Sequence, residues 1–134
     1  MEPAIFDTSV WVEFFNDTQS NRALMLDRYI QNTPSSVWLT PTIVQEILQG
    51  LRTEQDFIRT KTILEAYMIL MPNWLDISVA AAKLYFDLRK KGVTIRKSTD
   101  CLIATVAIKY DVLLVHNDSD FDLIEQHTAL RCLR

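Results

Sequence analysis

The stretch Ser98–Phe121, STDCLIATVAIKYDVLLVHNDSDF, combines three features that decide the fold: a helix, a buried strand and an acidic corner. Asp100 stands at the head of the helix, along which apolar residues recur at helical spacing. The all-apolar run Val112–Val115 then predicts a buried strand, and Asp118 follows shortly after it. Ligands bind beyond the carboxyl ends of the strands in open α/β sheets. This stretch therefore predicts a carboxylate site at one edge of a sheet.

Two earlier acids are expected at the same edge. Asp7 directly follows the short apolar run Ala4–Phe6, which predicts another buried strand. Glu46 lies on a helix that follows the strand-like run Val37–Leu39, and Thr40-Pro41 marks the start of that helix as a cap followed by proline. Right-handed crossovers bring the carboxyl ends of parallel strands to one edge. We therefore expect these acids to converge.

The remaining chain alternates short apolar runs with helical patterns. Met68–Met71 is compatible with a strand or with the last turns of a helix, and Leu75–Ile77 suggests an extended segment before a helix capped by Ser78. The tail Leu130–Leu133 suggests an edge strand. Strands that alternate with helices predict an α/β fold, with a short parallel sheet covered by helices on both faces.

Size and composition indicate one globular domain over residues 1–134. The hydrophobic fraction of 49%, with only two glycines and four prolines, argues against a disordered chain and against a many-turned all-β fold. Cys101 and Cys132 form no zinc motif and are expected to be reduced. Because we find neither a signal peptide nor an apolar run that could span a bilayer, we expect a soluble cytoplasmic protein without membrane contact.

The charge pattern bears on nucleic-acid binding. A net charge of −3 argues against a binder that depends on overall phosphate neutralisation, but it is compatible with a nuclease that has a carboxylate site. Positive charge is concentrated in one run, whose members are Arg89, Lys90, Lys91, Arg96 and Lys97. This run suits either a solvated helix end, where cations complement the dipole, or a surface that contacts a phosphate backbone.

Converging carboxylates require compensation. Two of them about 4 Å apart repel by about 4 kcal/mol at an effective dielectric constant near 20. No lysine or arginine is adjacent in sequence to Asp7, Asp100 or Asp118, so a divalent cation is the simpler expectation. Oxygen ligands select hard ions, which indicates Mg²⁺ or Mn²⁺. Such an ion activates water for phosphodiester hydrolysis without a nucleophilic serine or cysteine.

Other residues of the acidic corner have simpler interpretations. Asp120 and Asp122 are expected at the surface, and His116 is expected to be an ordinary loop histidine, although it is close enough to the corner to lie near a site. Each acid taken alone is also explained as a cap, a first-turn acid or a solvated side chain. The chain has no P-loop, dinucleotide-binding or nucleophile-elbow motif, which argues against those nucleotide-binding and hydrolase classes.

Four segments, FDTSVWVEFF, TIVQEILQG, STDCLIATVAIKY and LLVHNDSDFD, follow an order that resembles the blocks of PIN-domain nucleases. The resemblance covers nearly the whole chain and is strongest to VapC-type ribonuclease toxins of bacterial toxin–antitoxin pairs. It implies a PIN-like three-layer fold. It also implies that one acid from each block belongs to a catalytic, metal-binding quartet: Asp7, Glu46, Asp100 and Asp118.

The resemblance also carries expectations about supporting residues and partners. Asp120 is near enough to Asp118 to replace or assist it, and Ser9 matches a small polar position that can hydrogen-bond a ligand carboxylate. The family implies an endoribonuclease that depends on Mg²⁺ or Mn²⁺ and acts on RNA, often transfer RNA. It further implies a homodimer and a cognate antitoxin whose tail blocks the acidic groove.

Two alternatives remain open from the residues alone. A receiver-like signalling module also binds Mg²⁺ in an acid pocket at strand ends, but it needs a lysine after a late strand, where this chain has His116. A catalytically silent interaction protein would use the fold only to bind a partner. The intact acids favour the nuclease over both.

Overall fold

The computed structural model describes residues 1–134 and shows one parallel sheet with helices between its strands. The strands are β1 (Ala4–Phe6), β2 (Val37–Leu39), β3 (Met68–Ile69), β4 (Leu113–Val115) and β5 (Cys132–Leu133). The α-helices are α1 (Thr8–Phe15), α2 (Asn21–Asn32), α3 (Pro41–Gln49), α4 (Glu54–Leu64), α5 (Trp74–Lys90), α6 (Ser98–Lys109) and α7 (Ser119–His127). The predicted α/β class is confirmed.

The strand order β3-β2-β1-β4-β5 places the first strand at the centre of the sheet. All neighbouring strands are parallel, and Phe6 at the end of β1 lies opposite Val115 at the end of β4. From β1 the chain winds outward to β3 and then returns to the other side of β1. The boundary between β1 and β4 is therefore the topological switch point, where open α/β sheets bind ligands.

Burial from both faces explains why the central strands read as continuous apolar runs. Every residue of β1 and of β4 is buried. Helices contribute large side chains to the same core, and Trp11 of α1 and Phe121 of α7 are completely buried. A parallel sheet needs this cover, because its strands are buried on both faces between helices.

Helix α5 begins earlier than the sequence pattern suggests. The extended segment predicted at Leu75–Ile77 and the cap predicted at Ser78 are wrong, because the helix starts at Trp74. Asn73 caps it by accepting a hydrogen bond at 3.0 Å from the backbone N–H of Asp76. The short pattern apolar–polar–apolar at Leu75–Ile77 fits either a strand or the first turn of a helix. The asparagine at the cap position favours the helix.

The boundaries of the other helices and strands differ from the sequence predictions in smaller ways. Helix α6 follows Lys97 at its cap position and has no side-chain cap, although the sequence suggests Ser98 or Thr99 in that role. The ambiguous run at 68–71 contains strand β3, and the tail contains strand β5. Helix α7 is not predicted by the sequence pattern. None of the helices is long and apolar enough to cross a membrane.

Candidate active site

The carboxyl ends of β1 and β4 place Asp7 and Asp118 on adjacent strands at the switch point. The backbone N–H of Asp7 donates a hydrogen bond to the carbonyl of Val115 at 2.9 Å, which ties the two strand ends together. Asp7 then caps helix α1, and Asp118 caps helix α7. Both acids therefore lie at helix N-termini, where the helix dipole favours negative charge.

Helix α6 brings a third acid to the same place. Asp100 lies in its first turn and is 1% exposed. Asp100, Asp118 and Asp120 each present a carboxylate oxygen within 4.8 Å of the others. Helices α6 and α7 thus direct their N-terminal ends towards one acidic group, formed by Asp100, Asp118 and Asp120, which we call the acid cluster.

Asp120 is part of this cluster, and its predicted surface position is wrong. The residue is 3% exposed and accepts a hydrogen bond from the backbone N–H of Arg96 at 3.1 Å. Asp120 follows the cap residue of α7 by two positions, and its own N–H donates to the Asp118 carboxylate at 2.9 Å. The turn that caps α7 therefore brings both acids of the fourth block to the site.

The side chain of Lys97 lies within the range of charge of all four predicted acids. Burial lowers the pKa of the Lys97 ammonium group, but the charges of Asp100, Asp118, Asp7 and Glu46 raise it, and they outweigh burial. A single side chain at the start of α6 therefore experiences the field of all four carboxylates. Asp7 and Glu46 lie outside the closest group, which contains Asp120 instead.

Hydroxyl groups of α1 fix the two outer carboxylates. Ser9 Oγ donates to Asp7 Oδ2 at 2.8 Å, which is the kind of contact expected of this residue, and the Ser9 backbone N–H reaches the same oxygen at 3.2 Å. Thr8 Oγ1 donates to Glu46 Oε1 at 2.8 Å across α1 and α3. Ser9 and Thr8 therefore orient acids from two different blocks. The sequence pattern did not indicate the contact made by Thr8.

Two basic residues of the positive run contact the acid cluster. Arg96 Nη2 lies 3.1 Å from Asp118 Oδ1 and Arg96 Nε lies 3.5 Å from Asp120, while Lys97 Nζ lies 3.5 Å from Asp118 Oδ2. The sequence-based argument that no cation is adjacent to the acids therefore fails in three dimensions. The loop before α6 folds back over residues that follow β4.

The other basic residues of the run lie elsewhere. Arg89 and Lys90 belong to the last turn of α5, where they lie over the rings of Tyr85 and Phe86 at 5.6 and 4.8 Å, and Lys91 follows as the cap residue. No ion pair joins them to the acids. The predicted basic strip is thus divided into an exposed helix end and a pair of residues at the site.

The electrostatics of the cluster are asymmetric. Burial, together with the charges of Asp7 and Asp118, raises the pKa of Asp100 to about 7 against the opposing effect of Lys97. Burial also raises the pKa of Asp118, but hydrogen bonding from Asp120 and the charges of Lys97 and Arg96 more than compensate and lower it. Without a further cation, Asp118 is therefore ionised at neutral pH, whereas Asp100 is about half protonated there.

Asp100 is the residue that best fits a divalent cation. Its Oδ2 is buried and has no hydrogen-bond partner in the protein. Buried polar atoms are almost always paired, so an orphaned carboxylate oxygen beside two further carboxylates calls for an additional ligand. A cluster that offers only oxygen donors suits a hard ion of the Mg²⁺ or Mn²⁺ type.

His116 lies in the loop between β4 and α7, but it is not an ordinary loop histidine, because it is buried and supports the site. Its ring is completely buried, and its Nδ1 accepts a hydrogen bond from the backbone N–H of Asp118 at 3.1 Å. Nε2 lies 3.6 Å from Asp122 Oδ1. Burial lowers the pKa of His116 despite the opposing charge of Asp122, so the neutral imidazole is favoured. Its position directly after an apolar strand was the signal that could have indicated burial.

Comparison with known proteins agrees with this geometry. The family model of the PIN domain matches residues 4–126, so the fold and the acidic site define a PIN-domain protein. Two ribonucleases are each 35% identical to the chain over 131 residues: VapC ribonuclease Mb1587 of Mycobacterium bovis and ribonuclease VapC11 of Mycobacterium tuberculosis. The alignment covers 95% of this chain and 95% of each relative. The chain therefore belongs to the PIN-domain family and, within it, to the VapC-type toxin endoribonucleases.

Solved structures show the same three-layer fold. The structure of VapBC2 from Rickettsia felis, bound to a DNA fragment from its promoter, has a TM-score of 0.74 at 21% identity and covers 97% of this chain. The structure of VapBC-1 from nontypeable Haemophilus influenzae has a TM-score of 0.72 at 20% identity with the same coverage. The matches cover 96% of each of those chains, which confirms the PIN-like three-layer architecture.

Proposed function

We propose that this endoribonuclease hydrolyses RNA phosphodiester bonds with Mg²⁺ or Mn²⁺ held by Asp100, Asp118 and Asp7, with Asp120 assisting. The observation that carries the proposal is the unpartnered, buried Oδ2 of Asp100, in a residue whose carboxylate comes within 4.8 Å of those of Asp118 and Asp120. Binding of a cation would replace the proton of Asp100 and relieve repulsion within the cluster. An ion at this position supplies an activated water and neutralises charge at the leaving oxygen.

The protein residues around the ion have distinct roles in this proposal. Ser9 holds Asp7 through two hydrogen bonds to one carboxylate oxygen, which leaves the other oxygen for the metal. Thr8 holds Glu46 through Oε1, so Oε2 is free of that contact and would be available to a metal-bound water or to a second ion. Fixed carboxylates reduce the reorganisation that accompanies metal binding and water activation.

The substrate is proposed to be RNA, and transfer RNA is the class suggested by the family resemblance. The chain has a net charge of −3, so its contacts with phosphate groups must be local. Arg96 and Lys97 provide positive charge beside the acids, and the α5 end formed by Arg89, Lys90 and Lys91 provides a second exposed basic surface.

A cognate antitoxin and a second copy of the chain are the proposed protein partners. Support comes from solved structures with the same fold, which include a toxin–antitoxin complex from Klebsiella pneumoniae and the two VapBC structures. An antitoxin tail that carries a basic residue would find a complementary charge in the acid cluster. We also propose that the pair acts in the cytoplasm.

The decisive experiment compares the parent with Asp100→Asn on total cellular RNA, with Mg²⁺, with Mn²⁺ or with a chelator. Asp76→Asn is a matched control, since Asp76 occupies the same position in the first turn of α5 but is exposed. We expect discrete fragments only from the parent and the control, and only with metal. If folded Asp100→Asn cleaves RNA as the parent does, the proposed role of the acid cluster is wrong.

A further inference from the structure

Arg96 combines a fixed backbone with an exposed side chain. Its N–H donates to the buried carboxylate of Asp120 at 3.1 Å, which anchors the loop before α6 to the start of α7. Its guanidinium group donates to Asp118 Oδ1 at 3.1 Å, although the side chain is 69% exposed. The residue is therefore held at the rim of the acid cluster whether or not the guanidinium group keeps its contact.

The guanidinium group and a divalent cation would use the same oxygen atoms. Asp118 Oδ1 accepts the contact from Arg96, and Asp118 Oδ2 lies 3.5 Å from Lys97 Nζ. Both oxygens of this carboxylate therefore face a positive side chain. Asp100 Oδ2 has no hydrogen-bond partner, although the charge of Lys97 also acts on that carboxylate.

We propose that Arg96 exchanges partners during the reaction cycle, from Asp118 in the metal-free protein to a phosphate group of the RNA when metal is bound. This inference rests on the proposed metal-dependent cleavage. A cation held by Asp118 would displace the guanidinium group, and the backbone contact of Arg96 with Asp120 would keep that group beside the site. Arg96 then positions the RNA strand next to the carboxylates, so that it binds substrate after first acting as a competitor of the metal.

The chemistry of the contact suits such an exchange. An ion pair that is largely exposed to water contributes little free energy, so a divalent cation can displace it. Arginine offers a planar fork that binds phosphate oxygens in a bidentate manner. Arg89 cannot make the same exchange, because it lies over the ring of Tyr85 on α5 and contacts no member of the acid cluster.

Calorimetric titration of the full chain with Mn²⁺ tests the first half of the inference. Arg96→Gln should bind Mn²⁺ about two- to fivefold tighter than the parent, because an exposed competing cation has been removed. Arg89→Gln removes the same charge at a distance and should leave the affinity nearly unchanged. The gain in Arg96→Gln should also diminish at high salt, which screens the exposed pair.

Fluorescence anisotropy with a short, labelled single-stranded RNA tests the second half, with Ca²⁺ as the ion to slow cleavage. Arg96→Gln should weaken RNA binding several-fold with the ion and less without it, and Arg96→Lys should be intermediate. If Arg96→Gln binds Mn²⁺ no more tightly than Arg89→Gln, Arg96 makes a permanent structural contact and the proposed exchange is wrong. If the parent itself binds no Mn²⁺, the proposed metal site fails and the exchange fails with it.

Discussion

The neutral ring of His116 orients Asp118: its Nδ1 accepts the backbone N–H of Asp118 at 3.1 Å from within the core. This bond lies between the end of β4 and the cap of α7, at the point where the fourth block enters the acid cluster. Supporting contacts of this kind commonly change metal affinity by about 10- to 100-fold when they are removed.

We therefore expect His116→Leu to weaken Mn²⁺ binding by about tenfold or more, because the Asp118 N–H loses its acceptor and the turn loses its geometry. His116→Asn is the matched variant, since an asparagine side chain can accept the N–H two residues on in an Asx turn. It should retain most of the affinity. Calorimetry on both variants checks this, and equal affinities for Leu and Asn would contradict the positioning role.

The stability of the metal-free protein should depend on pH through Asp100. Its pKa is raised from 3.8 to about 7 on folding, mainly by burial. The folded state thus binds this proton more tightly than the unfolded state, so the contribution is fully favourable at low pH and is lost as pH rises from about 4 through about 7. Each unit of pKa difference corresponds to about 1.4 kcal/mol.

Asp100→Asn isolates this effect because the amide does not ionise. In chelator, the variant should gain stability relative to the parent as pH rises from 4 to 8, by about 2–4 kcal/mol in the free energy of unfolding. Urea denaturation across this pH range measures the difference. Parallel stability curves for the two proteins would show that Asp100 does not carry the raised pKa.

Metal binding should make the parent more stable than Asp100→Asn, which reverses the order expected in chelator. A ligand that binds only the folded state at a concentration of about 100 times its dissociation constant stabilises by about 2.7 kcal/mol. Saturating Mn²⁺ should therefore raise the melting temperature of the parent and of Asp76→Asn at pH 8, and leave Asp100→Asn almost unchanged. A rise of the same size in Asp100→Asn would place the ion elsewhere.

The parts of the site that were predictable from the sequence are those fixed by local pattern. Asp7 and Asp118 follow apolar strands, and Asp100 begins an apolar-striped helix, so strand topology alone brings them to one edge. The convergence of Asp120 and Arg96 was not predictable in this way. It depends on the turn that caps α7 and on a loop contact between residues 24 positions apart in the chain.

The errors in the fold have a similar physical origin. The apolar pattern does not indicate the start of α5, because the cap is made by Asn73, outside the pattern that marks the helix interior. The pattern does not indicate helix α7 either, because its first turn is acidic, and acidic residues there serve both the helix dipole and the cluster. Where a residue serves both the helix and the site, it interrupts the apolar periodicity from which a helix is predicted.

Ser9 provides the last test, because its single hydroxyl joins the first and fourth blocks. It donates to Asp7 Oδ2 at 2.8 Å and accepts the backbone N–H of Asn117 at 3.2 Å. Ser9→Ala should lower stability by about 1 kcal/mol and reduce both Mn²⁺ affinity and kcat, since Asp7 loses one of its two orienting bonds. Ser9→Thr keeps the hydroxyl and should restore all three. If Ser9→Ala lost stability while Mn²⁺ affinity and kcat stayed at the parent's values, the hydroxyl would hold the two blocks together without orienting the carboxylate.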